Sequence, residues 1–279
     1  MVNSVKNRQT PIIQSVIQKL PLGKNTAARA VSYLLGHKVK SVVNQACMTL
    51  DLQEGIQRQM FLGAYEPTES EWMRQCLGRG DTFIDVGANF GHYTTLAASL
   101  VGPEGQIFAF EPSPVANRVL EEAILTSNIE NIVLTKSAVG KTNGSVSLFL
   151  PTTGSLHSPS TLKSDPSFLE VQVPVIALDC FEPLKNVQIK LMKIDVEGYE
   201  PDVLAGAKHL IEARQIKNIF CEFNSWWLGL NSTTPKQLLA CFLDSGYEIH
   251  KQTELQENLV GRNGIVFDLQ DMWFKLAEN

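Results

Sequence analysis

Thr82-Phe-Ile-Asp85-Val-Gly87-Ala88-Asn89-Phe-Gly91-His92 joins an apolar run to the start of a helical pattern. A second apolar run, Gln106-Ile-Phe-Ala-Phe110, ends at Glu111, twenty residues after Gly91. Strand, glycine turn, helix, strand, acid is the order of an adenosine-binding βαβ unit. Glycines let the backbone approach the ligand, and the acid accepts hydrogen bonds from ribose hydroxyls. A dinucleotide turn reads Gly-x-Gly-x-x-Gly, so that pyrophosphate rests on the helix N-terminus. Here the middle glycine is Asn89, and His92 stands where the third belongs. Asp85 at the turn would repel pyrophosphate and suits a sulfonium or ammonium. The turn therefore points to S-adenosylmethionine.

Working outward, strands are expected near Thr82–Val86, Gln106–Phe110, Ile132–Lys136, Gln188–Ile194 and Asn218–Phe223. Helices are expected near Gly91–Leu100, Ser113–Ser127, Glu200–Glu212 and Thr234–Ser245. The strands are apolar along their length, as when helices cover both faces of a parallel sheet. Tyr247–Lys251 and Gly264–Asp268 follow without an intervening helix and read as a terminal antiparallel hairpin. Residues 81–279 thus form a doubly wound, mostly parallel α/β domain. Residues 1–80 read as a mostly helical extension, with a hairpin near Met48 to Phe61 and a helix beginning at Pro67. Ile12, Ile13, Val16, Ile17 and Leu20 have helical spacing. That helix packs on the main domain or on a second subunit, or touches a membrane surface. Between Gly144 and Asp179 two strand-like segments, Val146–Leu150 and Val171–Ile176, flank a polar stretch that is either a surface loop or a lid.

A net charge of −5 weighs against a nucleic-acid binder driven by phosphate contacts. The five cysteines are scattered without Cys-x-x-Cys spacing, which reads as reduced thiols in a cytoplasmic protein and against a zinc site. No apolar run is long enough to span a bilayer.

In a doubly wound sheet, ligands bind beyond the C-terminal strand ends. Those ends carry Asp85, then Glu111 and Pro112, then Ser137 and Ala138, then Lys193 through Glu200, then Glu222 and Asn224. Asp195, Glu197 and Glu200 crowd three acids into six residues, so one could have a raised pKa and act as a base. Glu197 and Glu200 also suit the N-terminal end of the following helix. Trp226 and Trp227 either floor a substrate pocket or pack the core. His157, on the polar insertion, is solvated or touches substrate. Oxygen ligands from Asp195, Glu197 and Glu222 could hold magnesium, but no metal is assigned.

Asp85 to Gly91, Ala109-Phe-Glu-Pro112, Ser137-Ala-Val139 and Lys193-Ile-Asp-Val-Glu-Gly-Tyr-Glu200 together resemble the FkbM-type S-adenosylmethionine-dependent methyltransferases. Gly63-Ala-Tyr-Glu-Pro67 is similar to a segment upstream of the domain in that family. The resemblance implies a seven-stranded Rossmann-like class I methyltransferase fold and methyl transfer to a hydroxyl of a sugar, glycan or natural product. By position it implies that Asp85, Gly87, Ala88, Asn89 and Gly91 surround the methionine part of the cofactor. Glu111 and Pro112 would hold the ribose, and Ser137 and Ala138 would border the adenine. Asp195 to Glu200 would line the reaction centre. A hydroxyl acceptor must lose its proton, and Asp195 is the expected acceptor of it, with Glu222 or Glu197 as second choice. Glu66 would close the same pocket from the extension. With Glu200, the residues read above at the strand ends and the insertion, His157, Asn224 and Trp226, are those expected to face the acceptor.

Overall fold

A computed structural model describes residues 14–19, 23–151, 168–260 and 266–277. The N-terminal part comprises a helical stretch over 14–18 (α1), α2 (Lys24–Leu35), β1 (Lys38–Val43), β2 (Ala46–Asp51), α3 (Gly55–Leu62) and α4 (Pro67–Cys76). The hairpin lies upstream of the expected Met48 to Phe61, and Gly55–Leu62 is helical instead. Its turn is Asn44-Gln45, both at positive φ (47° and 69°). Such a pair fits the right-handed twist of the flanking strands. The expected helical extension is therefore helices around a two-stranded ribbon.

The main sheet starts with β3 (Thr82–Val86), α5 (His92–Val101), β4 (Gln106–Phe110), α6 (Pro114–Ser127) and β5 (Ile132–Thr135). It resumes with β9 (Leu191–Ile194), α7 (Glu200–Gly206), α8 (Lys208–Glu212) and β10 (Asn218–Asn224). It ends with α9 (Ser225–Leu230), α10 (Pro235–Asp244), β11 (Tyr247–Gln252), β12 (Gln256–Val260) and β13 (Val266–Leu276). The strand order is β11-β13-β10-β9-β3-β4-β5, with β12 pairing β13. β5, β4, β3, β9 and β10 are parallel, and β13 runs antiparallel between β10 and β11. The seven-strand path matches the expectation. β12 is an additional strand, and β13 runs to Leu276 rather than ending at Asp268.

Every residue of β9 and all but the first of β3 and β4 are buried, because helices cover both faces. Ser113 caps α6 from the β4 end, followed by Pro114 at the first helical position. The expected helix over Glu200–Glu212 is broken at Ala207 into α7 and α8.

β6 (Ala138–Val139), β7 (Gly144–Pro151) and β8 (Phe168–Ile176) form a separate three-stranded sheet. Val146, Leu148, Leu150, Val171 and Val173 cluster on one face of the β7–β8 pair. The β7–β8 connection, including His157, lies outside the described residues.

Candidate functional site

Beyond the C-terminal ends of β3, β4, β9 and β10 lies a cavity of about 470 Å³. One wall is the turn after β3. Gly87 and Ala88 donate their N–H groups to the Phe110 carbonyl at 3.0 and 3.1 Å, tying this turn to the end of β4. Gly87 has φ 81°, and a Cβ there would sit 1.9 Å from the Asp195 carbonyl oxygen. Only glycine lets the β3 and β9 ends close on each other.

Glu111 is 5% exposed and forms part of the floor. One carboxylate oxygen accepts from the Asn89 N–H at 2.7 Å and the other from the Ser113 N–H at 2.7 Å. Burial lifts its pKa to about 7, against the pull of those two donors. The carboxylate is thus fixed in place and retains acceptor lone pairs for a ligand's hydroxyls. Pro112, Ser137 and Ala138 continue the wall, and the buried Ser137 hydroxyl has no partner among the described residues. Val139, Val146, Leu148 and Val175 supply an apolar roof.

At the β9 end, Lys193 Nζ donates to Asp195 Oδ2 at 2.9 Å and lies 5.0 Å from the centre of the Tyr93 ring. Burial opposes the Lys193 charge, but Asp195, Asp85 and Glu66 outweigh it and raise its pKa. Asp195, Glu197 and Glu222 all line the cavity. Burial, then the Asp195 charge, pushes the Glu222 pKa well above the usual carboxylate range. Glu66 reaches in from the extension and accepts from the Tyr93 hydroxyl at 2.5 Å. Its backbone is left-handed, φ 40°, and its side chain caps nothing at the head of α4. Local propensity gives way there to a position at the site. Burial raises the Glu66 pKa despite the nearby Lys193.

Glu66, Asp195 and Glu222 also border a smaller cavity behind the main one. Asp271 lines that second space and sits opposite Glu222 across the β10–β13 pair. Burial, reinforced by Glu66, lifts Asp271 to about 8. Among the described residues no group of three His, Cys, Asp or Glu is arranged to hold a metal ion.

Several expected contacts lie elsewhere. Asp85 is fully buried beneath the turn and accepts from the Thr94 hydroxyl at 2.6 Å, so it orders the turn instead of facing the cavity. Ala88 and Gly91 shape the turn without lining the cavity; Gly91 makes room for Leu120. Glu200 is 2% exposed and accepts from the Val196 and Gly198 N–H groups, the helix-end role its position also allowed. Asn224 accepts from the Trp226 and Trp227 N–H groups and caps α9. That cap sets the phase of the short helix, so Trp227 lines the cavity and Trp226 packs against it with ring centres 4.3 Å apart. Trp227 and Tyr199 line the cavity as the sequence allowed, whereas sequence reasoning missed Tyr65, Asp202 and Asn231, which line it too. Tyr65 lies inside the quoted Gly63–Pro67 segment and so had a local signal.

A sequence profile of the methyltransferase FkbM domain matches residues 85–249. The chain belongs to the FkbM methyltransferase family. The family is S-adenosylmethionine-dependent. "Methyltransferase 1" of Beauveria bassiana (strain ARSEF 2860) is 29% identical over 146 residues, 45% of this chain and 58% of that protein. The match therefore spans little more than half of that relative's length. The crystal structure of the FkbM methyltransferase from Methylobacillus flagellatus KT is similar at 13% identity. It covers 95% of this chain and 59% of its own, with TM-score 0.44. The M. jannaschii TYW2 structure in complex with AdoMet aligns at 12% identity, covering 86% and 87% of the two chains, with TM-score 0.40.

The cavity fits S-adenosylmethionine on its own chemistry. Glu111 offers fixed acceptors for two hydroxyls, Ser137 brings a buried unpartnered hydroxyl, and the β7–β8 roof is apolar where a flat ring would lie.

Proposed function

We propose that this protein transfers a methyl group from S-adenosylmethionine to a hydroxyl oxygen of a sugar, glycan or natural-product acceptor. The observation that carries the reading is the juxtaposition, in one cavity, of Glu111 with Asp195, whose carboxylate is held from behind by Lys193. S-Adenosylmethionine supplies an electrophilic methyl carbon on a positively charged sulfur. The chain has to bind it, align an acceptor oxygen and remove that oxygen's proton.

Glu111 and the Gly87–Gly91 turn bind. Ser137, Ala138 and Pro112 border the adenosine part. Asp195 is the proton acceptor: its Oδ2 is engaged by Lys193, which leaves Oδ1 for the acceptor hydroxyl. Glu222 lines the same space and helps orient the acceptor. Glu197, Tyr199 and Trp227 bound the acceptor side, and Glu66 closes it from the extension. Alignment of reactants can contribute roughly 7–11 kcal/mol, so this positioning carries much of the rate.

The test is transfer of labelled methyl from S-adenosylmethionine to a panel of hydroxylated sugars, glycans and macrocycles, with matched amines as controls. Label on the hydroxyl compounds, lost in Asp195→Asn while cofactor affinity is kept, is the expected result. Label on amines alone, or full activity of Asp195→Asn, would defeat the proposal.

A further inference from the structure

We propose that the N-terminal extension docks the protein on an anionic phospholipid bilayer. The first 50 residues hold seven Lys or Arg and no Asp or Glu, while the remaining 229 hold 17 and 29. The net charge of −5 therefore conceals a basic extension on an acidic domain.

The described part of the extension displays this charge in a repeated pattern. The 14–19 stretch exposes Val16 and, three residues on, Lys19. Helix α2 exposes Arg29 and, one turn on, Tyr33. Strand β1 exposes Lys38, Lys40 and Val42 on a single face. Val16, Tyr33 and Val42 are 59%, 79% and 52% exposed. Lys19, Arg29, Lys38 and Lys40 form no ion pair with an acid among the described residues. Each element thus sets an unpaired cation beside an exposed apolar side chain.

That combination selects the partner. Cations alone suit any polyanion. A bilayer surface also takes up aliphatic side chains and the amphipathic ring of tyrosine at headgroup depth, which a phosphate backbone does not. Lys and Arg beside an anionic leaflet are attracted within a Debye length of it. The acidic remainder of the chain is repelled by the same leaflet, which orients the extension toward the lipid.

The test is co-sedimentation of the full chain with vesicles of phosphatidylcholine alone and of phosphatidylcholine containing phosphatidylserine. Binding to the serine-containing vesicles is expected, with little to the neutral ones and a steep decline with salt. The Lys38→Gln/Lys40→Gln variant should lose about thirtyfold in affinity, from the attraction of two surface cations. Tyr33→Ser should weaken binding without changing its salt dependence. All these side chains are exposed, and an unchanged melting curve verifies folding of each variant. Absence of vesicle binding, equal binding to neutral vesicles, or an unchanged double variant would overturn the proposal. Tighter binding to duplex DNA than to vesicles in the same buffer would overturn it in favour of nucleic acid.

Discussion

Asp195 and Lys193 form a pair in which each side chain determines the other's usefulness. Removing the Asp195 charge should cost about 10²–10⁴ in kcat, the usual contribution of a positioned base, with cofactor affinity nearly unchanged. Removing its partner is a different perturbation. Lys193→Met strands Asp195, Asp85 and Glu66 without the cation they share. Breaking a buried pair typically costs about 3–5 kcal/mol, so this variant should lose both activity and melting temperature where Asp195→Asn loses mainly activity. Thermal unfolding beside turnover separates the two. At this scale the sequence identified the acids but not their directions. Asp195, Glu197, Glu222 and Glu111 line the cavity, whereas Glu200 and Asn224 satisfy N–H groups of their own turns. Neighbouring acids in a chain do not announce which of them turns inward, because that depends on caps and on left-handed residues. Glu197 and Gly198, at φ 54° and 96°, make that reversal here.

The β3–α5 turn was legible because its glycines answer to a close approach of backbones. Gly87→Ala should therefore collapse cofactor binding and lower the melting temperature markedly, since its Cβ would meet the Asp195 carbonyl at 1.9 Å. Gly144→Ala is the control: its Cβ meets nothing within 4 Å, and its stability should stay within about 0.5 kcal/mol. Equal loss of melting temperature in the two variants would refute the account of the turn. The parallel strands were legible from their unbroken apolar runs, and α6 from Ser113-Pro114. The β1–β2 ribbon was less so, because Asn44-Gln45 lacks the glycine that usually marks such a turn. The length of β13 was hidden by polar residues. Asp268, Gln270 and Asp271 bond to neighbouring loops or line a cavity, and do not end the strand.

Across the whole molecule, the buried acids tie stability to pH. Burial lifts Glu111 and Glu200 to about 7 and Asp271 to about 8, all above the values of an unfolded chain. In that interval the folded state binds more protons than the unfolded one, so stability must fall as pH rises. It should be fullest near pH 4–5 as far as these three groups are concerned, and decline as pH passes through about 7 to 8. Urea midpoints at pH 5, 6.5 and 8.5 should decrease in that order, and a flat series would contradict the assignment. Cofactor binding should have the opposite trend, because Glu111 accepts hydroxyl hydrogen bonds best when ionised. No helix among the described residues is long and apolar enough to cross a membrane. The packing of Val39, Met48 and Leu50 with Ala116 and Ala123 of α6 joins the extension to the domain core.

The most direct measurement is calorimetric titration of the full chain with S-adenosylmethionine at pH 6 and pH 8, repeated with Glu111→Ala. The account predicts one site, tighter at pH 8. It also predicts at least about tenfold weaker binding in the variant, from the loss of charge-assisted hydrogen bonds. Equal binding by both proteins at both pH values would place the cofactor away from Glu111 and contradict the central claim.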